Sequence, residues 1–199
     1  MIKEIDSLEK IKTEILNCKK CPLYKTRNHS VVGEGSSRAK IMFCGEAPGY
    51  NEDKTGHPFC GAAGKILDEL LESAEIKRKE VFITNILKCR PPSNRDPRSE
   101  EIKACTPYLE GQIEIIKPGV VCTLGNFSTA YIFQKYGLKD QIQGISKIHG
   151  KIFEATPTSN FGVRAKSIKI IPLYHPAVAT YNINMKEVLK RDFRALKNL

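Results

Sequence analysis

Four cysteines are placed as ligands rather than as core thiols. Cys18 and Cys21 form a C-x-x-C just past an N-terminal helical pattern, and Cys89 and Cys105 lie far downstream. Held by one metal or cluster, the four thiolates would staple two segments distant in the chain beside a pocket. A zinc knuckle more often uses a second C-x-x-C, and a cubane cluster accepts asymmetric spacing, so spacing alone leaves zinc and [4Fe–4S] both open. Cys44 and Cys122 fall inside apolar runs, where a thiol acts as a small core residue, and Cys60 has no companion at ligand spacing.

Between the cysteine pairs, Gly45-Glu46-Ala47-Pro48-Gly49 follows an apolar run. Two glycines and a proline in five residues let backbone pass close to a ligand. Phe59, in Gly56-His57-Pro58-Phe59, stands outside the apolar stripe that follows, as a staple against the core or as a stacking platform. Thr84-Asn85 closes a second apolar run. Its amide offers one donor and one acceptor, which suits a base edge or the nearby backbone. The segment Arg90-Pro91-Pro92-Ser93-Asn94-Arg95-Asp96-Pro97-Arg98 combines stiff backbone with forked cations, a composition suited to phosphate. Tyr174-His175-Pro176-Ala177 follows a further apolar run and places a histidine as a hydrogen-bond donor. Beyond it, Val178–Asn182 is a candidate tip whose Tyr181 could enter a duplex.

These residues need elements to position them. Ile5, Leu8, Ile11 and Ile15 predict a helix over 3–17. Ala63, Ile66, Leu67, Leu70, Leu71 and Ala74 predict a second helix. A third, carrying Ile102, Cys105, Leu109 and Ile113, is expected to open with Asp96 as N-cap and Pro97 as its first residue. Further helices are expected over 127–136 and around Met185, Val188, Leu189, Phe193 and Leu196. Strands are expected over 41–44, 81–87, 120–124 and 168–174, and residues 137–167 read as a loop or weak hairpin. Alternation of strands and helices predicts a three-layer α/β/α sandwich around a central, mostly parallel four-stranded sheet. Ligands of such sheets sit beyond the carboxyl ends of the strands. Gly45–Ala47, Asn85–Cys89, Gly125-Asn126 and His175 should therefore converge on one rim.

The chain has 199 residues, read as a single domain over 1–199, with 41% hydrophobic and 27% charged residues. The net charge of +10 favours a polyanion partner over a merely solvated surface. No apolar run is long enough to span a membrane, and the N-terminus does not read as a secretory signal. An intracellular protein is expected, and its seven cysteines then point to metal binding or buried thiols rather than disulfides.

In order and spacing, these motifs resemble the family 4 uracil-DNA glycosylases, the iron–sulfur branch of the uracil-DNA glycosylase superfamily. The resemblance spans nearly the whole chain: Cys18-x2-Cys21, Gly45–Gly49, Gly56–Phe59, Thr84-Asn85 with Lys88-Cys89-Arg90-Pro91-Pro92, Cys105, and His175-Pro176-Ala177. It implies a [4Fe–4S] cluster on Cys18, Cys21, Cys89 and Cys105, structural in role. It implies hydrolysis of the N-glycosidic bond of uracil in DNA after the base is flipped into a pocket. In that pocket Phe59 would stack on the ring, Asn85 would bond the pairing edge, and the backbone of Gly45, Glu46 and Ala47 would line the other side. His175 would donate to uracil O2, where charge develops. Ala47 stands where several branches of the superfamily carry Asp, so no carboxylate acts on water from that position; either Glu46, Glu52 or Asp53 supplies one, or stabilisation of the leaving base carries most of the rate. Arg90, Arg95, Arg98 and Tyr181 are expected at the DNA. A monomer is expected, and nothing in the sequence supports a replication-clamp motif. The competing reading is a non-enzymatic, metal- or cluster-containing nucleic-acid binding module.

Overall fold

The structure, a computed structural model, describes residues 2–156 and 167–199. Its elements run α1 (Ile2–Leu16), β1 (Glu34–Gly35), β2 (Ile41–Gly45), α2 (Tyr50–Thr55), α3 (Ala62–Ser73), β3 (Phe82–Asn85), α4 (Ser99–Ile116) and β4 (Val120–Leu124). They continue with α5 (Asn126–Lys135), α6 (Ile145–Ile148), β5 (Phe153–Ala155), β6 (Ile168–Leu173), α7 (Val178–Tyr181) and α8 (Met185–Arg194). Among the described residues, no helix is long and apolar enough to cross a membrane.

The sheet has six strands in the order β1-β3-β2-β4-β6-β5, which corrects the expectation of four. The four expected strands form its parallel centre, and β1 and β5 add antiparallel edges. These edges are only two and three residues long, too short to leave a period in the sequence. Residues 137–167, expected as a loop or weak hairpin, instead hold α6 and β5, and β5 pairs antiparallel with the expected strand β6; residues 157–166 lie outside the described residues.

Alternation along the central strands builds the three layers. Met42, Cys44, Val121 and Ile170 face one side, where Ile15 of α1, Leu109 of α4 and Phe133 of α5 cover them. Phe43, Cys122, Ile171 and Leu173 face the other, under Leu67 and Leu71 of α3 and Leu189 and Phe193 of α8. Each central strand is buried on both faces, as parallel strands between helix layers must be. Leu8 and Ile11 of α1 also turn inward, and the side chain of Ile5 lies outside the described residues.

Two boundaries depart from expectation. β3 runs Phe82–Asn85 rather than over 81–87, so Cys89 lies on the connection beyond it. Helix α4 begins at Ser99 with Arg98 as N-cap, two residues after the expected cap at Asp96. The reason is Glu101, which accepts the Arg98 backbone N–H at 2.8 Å and so supplies the capping carboxylate from inside the first turn.

Strand order reverses at β2: the chain moves from β2 to β3 on one side and then crosses to β4 on the other. Such a switch point opens a crevice at the carboxyl ends of the strands. Phe193 of α8 stacks on Phe43 of β2 with ring centres 5.5 Å apart, both fully buried, and anchors the layer that follows the His175 loop. Phe193→Ala should lower the unfolding free energy by about 3–5 kcal/mol in equilibrium denaturation. An unchanged midpoint would mean that this pair does not hold α8.

Candidate active site

The expected convergence is present at the switch point. Asn85 lies beside Gly45 in register, and the connection continues along it, with Ile86 N–H donating to Gly45 O and Leu87 N–H to Glu46 O, each at 3.0 Å. The approach is so close that a Cβ on Gly45 would fall 2.3 Å from Asn85 Oδ1 and 3.0 Å from the Phe59 ring. Only glycine leaves room there for the amide and the aromatic ring together. The Phe59 ring centre lies 5.7 Å from that of His175. Gly125, at φ +95°, brings its bare Cα to the other flank of His175. Asn85, Phe59, His175, Gly45 and Gly125 thus border one cleft.

Asn85 is 2% exposed, yet its side-chain amide makes no hydrogen bond with any described residue. Among the described residues, no fully sealed side-chain nitrogen or oxygen lacks a partner, so this amide must open into the cleft. A donor and an acceptor are held there unspent. Phe59 sits at φ 49°, a strained region for a non-glycine residue, with its carbonyl pressed against Gly64. Arg78 fixes this turn by donating to Pro58 O at 2.7 Å. The ring belongs to the core cluster, as the staple expectation has it, and its edge approaches Gly45 and His175.

His175 has a fixed tautomer. Its Nδ1 accepts the Ala177 backbone N–H at 3.2 Å, which leaves Nε2 to carry the proton. Burial, opposed by the negative charge of Glu52, holds its pKa below the ordinary 6.5. The ring is therefore neutral at pH 7 and donates through Nε2.

The three candidate carboxylates separate by environment. Asp53 is buried and accepts the Asn28 backbone N–H at 3.0 Å and its side-chain amide at 2.5 Å. Glu52 accepts the backbone N–H groups of Gly49 at 3.1 Å and Cys60 at 3.2 Å, and so braces the two loops that flank the cleft. Its position as third residue after the Gly49 cap was readable in the sequence. No donor among the described residues engages Glu46, and burial, with the charge of Asp96, pushes its pKa above the carboxylate range. Ala47 packs against the core.

On the rim, Arg90 lies over the Tyr50 ring at 5.3 Å and bonds Asn94, and Arg98 is exposed. Arg95 spends its fork on Glu101, at 2.9 and 2.6 Å, and pins the proline-rich segment to α4. Tyr181 on α7 is 77% exposed, with Ile183 beside it 68% exposed.

Cys18, Cys21, Cys89 and Cys105 line one pocket with Arg27, Lys88 and Tyr108. Among the described residues, no three His, Cys, Asp or Glu side chains converge tightly enough to grip a single metal ion. The thiols ring the pocket instead, and Cys21, Cys89 and Cys105 each feel the charge of others in the ring. Arg27 donates to Cys89 Sγ at 3.1 Å, and the Lys88 backbone N–H reaches Cys105 Sγ at 3.1 Å. Four soft thiol donors beside two cations are the chemistry that an anionic thiolate-bound group requires. Sequence reasoning missed the roles of Arg27 and Lys88, whose partners Cys89 and Gln112 lie far away in the chain.

The chain matches the uracil DNA glycosylase superfamily over residues 32–197. It is 50% identical to the type-4 uracil-DNA glycosylase of Sulfurisphaera tokodaii, over 98% of this chain and 86% of that one. It is 47% identical to the type-4 enzyme of Saccharolobus solfataricus, over 97% and 86%. With that of Archaeoglobus fulgidus it shares 44% over 98% and 94%. With this likeness running nearly end to end, the chain belongs to the type-4 uracil-DNA glycosylases of the uracil DNA glycosylase superfamily.

Proposed function

We propose that this protein excises uracil from DNA by hydrolysing the N-glycosidic bond, leaving an abasic site. The observation that carries the reading is the unspent Asn85 amide beside Gly45 and the Phe59 ring, whose other neighbour is His175 with its Nε2 free to donate. A base inside the duplex cannot reach this cleft, so it must be flipped out first. Asn85 then accepts the N3–H and donates to O4, while Phe59 supports the ring face. As the bond to C1′ breaks, the electron pair moves onto the base and negative charge grows at O2. A neutral donor at that oxygen, already oriented, favours the transition state over the bound substrate.

Water adds its oxygen to C1′ and loses one proton. Glu46 is the carboxylate best suited to take it, because it stands half-buried at the cleft with a raised pKa and no donor occupying it. Glu52 and Asp53 hold loops in place. Arg90 and Arg98 suit phosphate contacts on the rim, and Tyr181 suits the duplex beside the flipped base. Cys18, Cys21, Cys89 and Cys105 would hold a [4Fe–4S] cluster, whose contribution when bound is to join the segment after α1, the connection after β3 and α4. The chain's own residues carry the bond cleavage.

A labelled oligonucleotide containing uracil is expected to gain alkali-labile abasic sites when incubated with the protein. Binding without product would favour the non-enzymatic alternative and overturn the reading. Asn85→Ala and His175→Ala should each lower kcat/KM by about 10²–10³ while keeping cooperative unfolding; two active variants would refute the site.

The tautomer has its own check. Ring nitrogen NMR at pH 7 should show His175 protonated at Nε2 and bare at Nδ1. Because its folded pKa lies below 6.5, the unfolded chain binds the extra proton first as pH falls. The stability contribution is thus whole above 6.5 and is lost as pH drops from there toward the folded pKa, with activity falling on the same limb. An Nδ1–H signal at neutral pH would contradict the assigned donor. Purified protein should contain iron and acid-labile sulfide with a broad visible absorption; zinc alone would refute the cluster.

A further inference from the structure

Lys88 is among the largest fully buried side chains, 1% exposed, and no described carboxylate lies within ion-pair distance of it. A buried charge without a counter-charge is costly unless every donor is satisfied and something else balances it. The donors are satisfied. An ammonium has three N–H groups, and Nζ meets Thr84 Oγ1 at 2.6 Å, Asn85 O at 2.8 Å and Gln112 Oε1 at 2.8 Å. Gln112 in turn donates to Val32 O at 2.7 Å, and Lys88 O accepts the Val31 N–H at 2.7 Å.

The acceptors belong to the last two residues of β3 and to α4, the helix that carries Cys105. The lysine's own backbone N–H points to Cys105 Sγ, and its neighbour in the chain is Cys89. One side chain therefore spans the gap between the thiol pocket and the strand end that presents the Asn85 amide. That amide makes no hydrogen bond of its own among the described residues, so its direction depends on how its peptide is held.

Resting on the uracil-excising reading above, we propose that Lys88 is a positioning residue: its buried ammonium locks the Asn85 peptide to α4, so that the thiol pocket and the base-reading amide are held as one rigid unit. Its three hydrogen bonds, and no carboxylate, hold the ammonium in place. Lys88 touches neither substrate nor reacting atoms. Its effect should be confined to how well Asn85 meets the base.

The test compares wild type with Lys88→Met, which keeps the length and removes the donors. Both proteins are first shown to fold and to contain equal iron. Lys88→Met is expected to bind free uracil at least about tenfold more weakly and to lose about 10²-fold in kcat, the scale of a misplaced reacting group. Affinity for an abasic duplex, which lacks the base, should stay unchanged. A lysine that only stabilises the fold would lower the melting temperature and leave uracil affinity intact; that result overturns the proposal. If Lys88→Met does not fold, Gln112→Met decides, since it leaves Lys88 its bonds to Thr84 and Asn85 and cuts the tie to α4, along with the Gln112 bonds to Val32 O and Thr84. Weakened uracil binding with normal duplex binding is again expected, and wild-type uracil binding again overturns the role. A wild type that releases no uracil from DNA would overturn the underlying reading together with it, whereas an active wild type beside an unimpaired Lys88→Met removes Lys88 alone.

Discussion

The contact of Asn85 with the bare Cα of Gly45 is the constraint on which the cleft depends. With a Cβ at Gly45, the amide oxygen would meet carbon at 2.3 Å and the Phe59 ring would be displaced as well. The contact exists because β2 and β3 run parallel in register to their last residues, and because strand order reverses beside β2. A polar amide in an apolar sheet would ordinarily satisfy itself on local backbone. Here the backbone around it is already bonded, to Lys88 on one side and along Gly45-Glu46 on the other. The amide keeps its donor and acceptor for something that enters from outside.

Charge is distributed by the same logic. Of the acidic groups near the cleft, Glu52 and Asp53 are bonded to backbone or amide donors, and Glu46 keeps a carboxyl that no donor among the described residues engages. Of the three arginines in the proline-rich segment, Arg95 is turned inward on Glu101 to hold the loop, while Arg90 and Arg98 remain at the surface. One residue of each kind supports the scaffold so that another can act. The half-buried His175, neutral and locked by Ala177 N–H, completes a site suited to reading a neutral base and stabilising the charge it would acquire on leaving.

Much of this was legible before any coordinates. Long apolar runs marked the four parallel strands, since a strand buried on both faces has little other pattern to show, and their carboxyl ends named the cleft residues in advance. What stayed hidden were features set by tertiary contact. β1 and β5 are too short to carry a period. The start of α4 is decided by Glu101 reaching back to Arg98 rather than by the better cap sequence at Asp96-Pro97. Lys88 read only as one basic residue of a motif, because its partner Gln112 lies 24 positions away. The tautomer of His175 depends on a turn geometry that Pro176 permits but does not spell out.

A crystal structure of the protein with free uracil would test the central claim most directly. The account places the ring against Phe59, its N3–H and O4 on the Asn85 amide, and its O2 on Nε2 of His175. Uracil bound elsewhere, or an Asn85 amide turned to protein partners with the base in the cleft, would contradict it.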